Sequence, residues 1–159
     1  TLDLAGAYPR DAGIETWLRT IRLVRGDSVE VADAFRLREP SADVVQHLMT
    51  PCEVEALGEG RLRLRDPGAE TRLVVVYDPA PLRVEIETIE LDDAKLAEMW
   101  GPKLRRILLK AHEPESQGTW AVRIVREGAT AGLSSSARRC YDGWHEADSE
   151  TSKANTALP

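Results

Sequence analysis

Aromatic side chains are scarce in this chain of 159 residues: one phenylalanine, three tyrosines and four tryptophans. A module that binds sugars through rows of exposed rings has little to draw on. Cysteine is scarcer still. Cys52 and Cys140 stand far apart, so at most one disulfide can form; two free thiols are equally compatible, and the redox compartment stays open. Positive charge is outnumbered, 21 Lys and Arg against 27 Asp and Glu, for a net −6. That balance argues against a nucleic-acid partner, whose phosphates need a basic surface, and mildly against any polyanion unless charge is segregated. No apolar run approaches the roughly 20 residues of a membrane-spanning helix. There is no glycine-rich phosphate loop, no serine nucleophile elbow and no carboxylate pair in a convincing setting. Asp92 and Asp93 are adjacent, so in extended chain they point apart.

What the chain does have is strand pattern. A hydrophobic content of 42% and a charged content of 30% are those of a soluble globular protein, and the length suits one domain with a real core. Folding Trp17–Val24 onto Ser28–Leu37 about Arg25-Gly26-Asp27 sets Leu23 against Val29, Ile21 against Val31, Arg19 against Asp33 and Trp17 against Phe35. The other face sets Arg22 against Glu30. A slip of one residue scrambles both faces, so the pattern specifies its own register. A second hairpin joins Glu53–Leu57 to Arg61–Arg65 through Gly58-Glu59-Gly60 and pairs Val54 with Leu64, Ala56 with Leu62, Glu55 with Arg63 and Glu53 with Arg65. Its Arg-Leu-Arg-Leu-Arg run reads as a solvated face neutralised by the facing glutamates rather than as an anion-binding stripe. A third hairpin is expected from Arg72–Tyr77, a turn at Asp78-Pro79-Ala80-Pro81 and a return from Leu82, with Tyr77 meeting Leu82, Val75 meeting Val84, Leu73 meeting Ile86 and Arg72 meeting Glu87.

The remaining segments fit the same class. Leu2 and Leu4 alternate with Thr1 and Asp3, as if a strand were already under way, which gives the expectation of a piece of a longer protein. Tyr8-Pro9 through Gly13 reads as a loop. Val44–Met49 is a short strand stopped at Thr50-Pro51. Asp92 or Asp93 caps a short helical turn carrying Leu96 and Met99 or Trp100, ended by Gly101-Pro102. Leu104–Lys110 and Thr119–Arg126 are strands separated by a polar loop at Glu113–Gly118. The expected fold is all-β: an antiparallel β-sandwich of two packed sheets over residues 1–127, about nine or ten strands, with a helical turn near residues 92–100. Residues 128–159 are polar, with Leu133, Tyr141 and Trp144 among their few large apolar side chains, and read as a flexible C-terminal extension. Cys140 and His145 lie close together there, but a metal site needs more ligands at recognised spacing.

A few residues are candidates for a site. Arg19 and Asp33 share an otherwise apolar face. Their plain reading is a half-buried ion pair; the functional one is an arginine held by Asp33 so that it can grip a carboxylate. His47 lies in an apolar strand, where a lone histidine is usually structural and less often faces a cleft. Trp17, Trp100 and Trp120 can stack on sugar rings, although tryptophans at inward strand positions are more often core.

The order Leu2-Asp3-Leu4-Ala5-Gly6-Ala7-Tyr8-Pro9, Ala12-Gly13-Ile14, Trp17-Leu18-Arg19-Thr20-Ile21-Arg22-Leu23, Arg25-Gly26 and Val29-Glu30-Val31-Ala32-Asp33-Ala34-Phe35 resembles the sandwich region of heparinase II/III-like proteins. Trp100-Gly101, Leu104, Arg106-Ile107 and Trp120 to Ile124 are similar to the way that region closes, so the resemblance covers residues 1–127. It implies a polysaccharide-lyase parent in which an α/α toroid precedes the sandwich and carries Tyr, His and Asn for β-elimination beside a uronate. It also implies a secreted or periplasmic parent. Some members bind zinc in the sandwich, which the residues here do not support, so no cofactor is expected. None of the catalytic motifs matches a position here, so no catalytic residue is carried over and the isolated chain is expected to be inactive. The expected partners are the toroid of the same parent chain and an acidic polysaccharide, with Arg19, Asp33, His47, Trp17 and Trp100 as the places where sugar contacts would fall. The alternatives are a stand-alone carbohydrate-binding or adhesion module and a purely structural sandwich.

Overall fold

The computed structural model describes residues 1–41, 43–66, 68–113 and 115–128. The expected extension lies, from residue 129 on, outside the described residues, and so do Cys140 and His145.

Ten strands and one α-helix appear among the described residues: β1 (Leu2–Asp3), β2 (Ile14–Val24), β3 (Ser28–Ser41), β4 (Val45–Thr50), β5 (Glu53–Gly58), β6 (Arg61–Arg65), β7 (Arg72–Tyr77), β8 (Leu82–Glu90), α1 (Ala94–Trp100), β9 (Lys103–Ala111) and β10 (Glu115–Arg126). They form a seven-stranded sheet in the order β1-β2-β3-β10-β7-β6-β5 and a three-stranded sheet in the order β4-β9-β8. Every ladder is antiparallel. The expected all-β sandwich is the observed fold.

The first two hairpins form in the register their side chains specify. Leu23 pairs with Val29, Ile21 with Val31, Arg19 with Asp33, Trp17 with Phe35 and Arg22 with Glu30. Val54 pairs with Leu64, Ala56 with Leu62, Glu55 with Arg63 and Glu53 with Arg65. In the second turn Gly60 has φ +70°, and a Cβ there would stand 2.1 Å from the carbonyl oxygen of Tyr77. Only glycine fits that approach of β6's turn to β7. Arg63 does meet Glu55, at 2.8 Å, and also Glu127 at 2.6 Å. Glu53, however, sends its carboxylate to Arg105 and Lys103 of β9, at 2.7 and 3.6 Å.

The third hairpin does not form. β7 pairs with β6 and β10, while β8 crosses to the other sheet and pairs with β9. Asp78–Pro81 is therefore an arch between sheets, with the Asp78 carboxylate accepting from the Ala80 amide at 2.9 Å. The reason lies in β7 itself. Val74 and Val76 are buried along with Val75, so both faces of the strand are covered, and β7 is a central strand with β6 on one edge and β10 on the other. The charges of β8 also find better partners in β9, where Glu85 meets Lys110 and Glu87 meets Arg106. Arg72 instead approaches Glu127 at 3.7 Å. A second correction concerns Glu115–Gly118, which belong to β10 rather than to a loop. β3 runs on to Ser41 and gives these polar residues a ladder partner, with an irregularity between Glu115 and Gln117.

The helical turn forms as expected, with the Asp93 carboxylate accepting from the amides of Lys95 and Leu96 and Gly101 as its C-cap. No helix among the described residues is long and apolar enough to cross a membrane.

The core takes Trp17, Phe35, Leu62, Val75, Tyr77 and Trp120 from the large sheet and Leu82, Ile107, Leu109 and Ala111 from the small one. Seven strands at a spacing of about 4.8 Å span about 29 Å, and three span about 10 Å. The small sheet cannot cover the large one. On the core-facing side of β2, Ile21 and Leu23 remain 60% and 68% exposed. Leu109, fully buried, should be costly to truncate: Leu109→Ala is expected to lose about 2–5 kcal/mol in urea denaturation. Leu23→Ala should stay within about 0.5 kcal/mol.

Candidate functional site

Position-for-position pairing of β2 with β3 puts Arg19 beside Asp33, and period-two alternation turns both toward the core side of the large sheet. Arg19 Nε donates to Asp33 Oδ1 and Nη2 to Oδ2, each at 2.7 Å. This is the bidentate fork of guanidinium on carboxylate. The Asp33 carboxylate has no solvent exposure, whereas 27% of the Arg19 side chain does. The hydrogen bond to Asp33 raises the guanidinium's pKa above its ordinary value, against the opposing effect of burial.

Asp33 is flanked on β10 by Trp120, and Arg19 on β1 by Leu2. One step along the same face, Trp17 stacks on Phe35 with ring centroids 5.3 Å apart, and Phe35 meets Trp120 edge-on at 5.1 Å. Tyr8 also stacks on Trp17, at 6.1 Å, and is itself half-exposed. The chain start is tied down where the Leu4 amide donates to the Trp17 carbonyl at 2.7 Å. Gly118 completes the floor, since a Cβ there would press on the Phe35 ring at 2.8 Å. Trp17 Nε1 is buried and finds no acceptor among the described residues, a donor left unsatisfied at a cost of about 1–3 kcal/mol.

The five residues singled out from sequence do not form one site. Arg19, Asp33 and Trp17 share a face of the large sheet. Trp17 is core, as is Trp120. His47 lies on β4 between Gln46 and Leu48, which turn inward, so its exposed ring faces away from the core. Trp100 ends α1, 48% exposed, and none of the ring contacts among the described residues joins it to the Trp17 group. Tyr8 is the member that sequence reasoning missed. Its signal was the strand start at Leu2, whose register on β2 brings the following loop to Trp17. A cleft of about 340 Å³ beside the arch gathers Ala80, Pro81, His112, Glu113 and Glu115. Its histidine is exposed, and no buried polar group turns it into a built site.

Chemically, the fork leaves Arg19 with outward N–H groups able to meet a carboxylate, next to a half-exposed phenol. The pair is neutral as a whole, so the pull on an anion is local and weak. Among the described residues no three His, Cys, Asp or Glu side chains converge as a metal donor set. No known family model matches the chain. No curated protein matches it either.

Removing Arg19 alone leaves a buried carboxylate without its partner. Arg19→Met should therefore cost about 3–5 kcal/mol in chemical denaturation, and adding Asp33→Leu should restore most of that loss. Acid offers a second test. Hydrogen bonds from Arg105 to Glu53, from Lys110 to Glu85 and from Ser28 and Arg123 to Asp27 hold these carboxyls below their ordinary values. A depressed carboxyl contributes its stability above the unfolded value, about 4, and loses it as pH falls further. The urea midpoint is expected to fall below about pH 4, and to fall less steeply in Glu53→Gln and Glu85→Gln, as a pH series of unfolding curves would show.

Proposed function

We propose that this chain is the C-terminal β-sandwich domain of a heparinase II/III-like polysaccharide lyase, packing on an α/α toroid of the same parent chain and walling one side of a cleft for an acidic polysaccharide. The observation that carries the reading is the uncovered core-side face of the large sheet, where Ile21 and Leu23 lie open beside half-buried Val29 and Val31. Apolar surface of this kind, continuous with a core, marks a place where another body sits. The order of residues from Leu2 to Phe35 supports the family. Arg19, fixed by Asp33 and bordered by Tyr8, is the group best placed to meet a uronate carboxylate at such a cleft. The sandwich supplies no elimination chemistry of its own in this reading. The toroid removes the proton next to the uronate carboxyl and protonates the leaving oxygen.

A stand-alone carbohydrate-binding module is less well supported, because Trp17 and Trp120 are spent on the core and the half-exposed Tyr8 and Trp100 sit on separate elements. The test uses the parent protein and an acidic polysaccharide, following the ultraviolet absorbance of unsaturated uronate products. Activity is expected from the parent and not from residues 1–159 alone. Ile21→Asp with Leu23→Asp should leave the isolated domain folded yet lower the parent's activity. A parent with no upstream helical toroid, or an active isolated domain, would overturn the proposal.

A further inference from the structure

The open side of β2 is more specific than an apolar patch. β1 covers only its upper part, pairing Leu2 with Arg19 and Asp3 with Leu18. The hydroxyls of Thr1 and Thr20 lie 2.8 Å apart, so the same register carries one residue further. Beyond it, Ile21, Arg22, Leu23 and Val24 pair with β3 on one side and, among the described residues, with no strand on the other. The Trp17 carbonyl already accepts from β1's side. Backbone groups alternate along a strand, so those of Arg19, Ile21 and Leu23 point to that same edge. Ile21 and Leu23 thus offer both an exposed side chain and backbone groups that no strand among the described residues pairs. A long apolar edge of this kind invites pairing and is normally covered or blunted.

We propose that Thr20–Val24 is a docking edge for one more stretch of antiparallel strand, supplied by the segment of the parent chain that leads into Thr1. This rests on the reading that an upstream domain of the same chain exists. The register fixes the chemistry of the occupant. The residue immediately before Thr1 lies opposite Ile21 and the third before it lies opposite Leu23, both on the core side, so both are apolar. The second lies opposite Arg22 on the far face and is polar or acidic. The alternation then runs on without a break through Leu2 and Leu4. A second copy of the chain fits worse. Antiparallel pairing of the whole open edge with itself sets Arg22 against Arg22, and like charges directly opposite are destabilising.

The experiment compares amide hydrogen exchange in residues 1–159 with the same chain extended by its own five upstream residues, without the toroid. The Ile21 and Leu23 amides are expected to slow on the order of tenfold or more in the extended chain, as opening becomes necessary for exchange. Proline placed immediately before Thr1, which cannot donate to the Ile21 carbonyl, should abolish that protection while Leu109 stays protected. Equal exchange rates in the two chains would overturn the proposal, as would protection that depends on protein concentration, the sign of a second copy. These outcomes are independent of the lyase reading. Protected amides in a chain whose parent yields no unsaturated uronate would sink the function and leave the docking edge standing.

Discussion

The fork between Arg19 and Asp33 fixes more than its own two residues. A carboxylate with no solvent exposure requires a cation opposite it, because an unpaired buried charge costs several kcal/mol. In any other alignment of β2 on β3, Asp33 would face a residue that cannot neutralise it, or would leave the buried face. The pair therefore selects one register from the many that two apolar strands allow. That register stacks Trp17 on Phe35, brings Trp120 of β10 beside Asp33 and leaves Ile21 and Leu23 in line with the core yet beyond its cover. Whatever stability the pair contributes, it acts as a pin that makes the neighbouring apolar contacts unique.

The same distinction explains what was legible in the sequence. The first two hairpins carry opposite charges at matched positions, Arg22 with Glu30 and Glu55 with Arg63, so only one alignment satisfies both faces. The arm from Arg72 to Tyr77 is nearly all apolar. Valines at alternate positions match Leu82 and Val84 as well as they match Leu62 and Ile124, and sequence alone does not separate a hairpin from an arch. The deciding quantity is burial on both faces of β7, a property of the whole sheet that no local window contains. The candidate site divides in the same way. Arg19, Asp33 and Trp17 could be placed together because they sit within one hairpin. Tyr8 escaped notice because it reaches Trp17 through a loop, and His47 and Trp100 were grouped with them only by residue type.

The mismatch between a seven-stranded and a three-stranded sheet leaves part of the large sheet's core side open. A sandwich that closes on itself matches the widths of its layers. Here the small sheet leans toward one side, tied to the large one by the arch at Asp78–Pro81 and by Glu53, which crosses to Arg105 and Lys103. The open side is the one that holds β1, Tyr8 and the outward face of Arg19. Apolar cover and anion-binding potential thus fall on the same half of the large sheet. A body seated on Ile21 and Leu23 would bring its own surface up beside the Arg19 guanidinium. It would also shield that guanidinium from water, which strengthens its attraction for a carboxylate. Docking and ligand binding would then be coupled through one stretch of β2. In the proposed reading, that coupling would join a fork too weak to act alone to the apolar surface it borders.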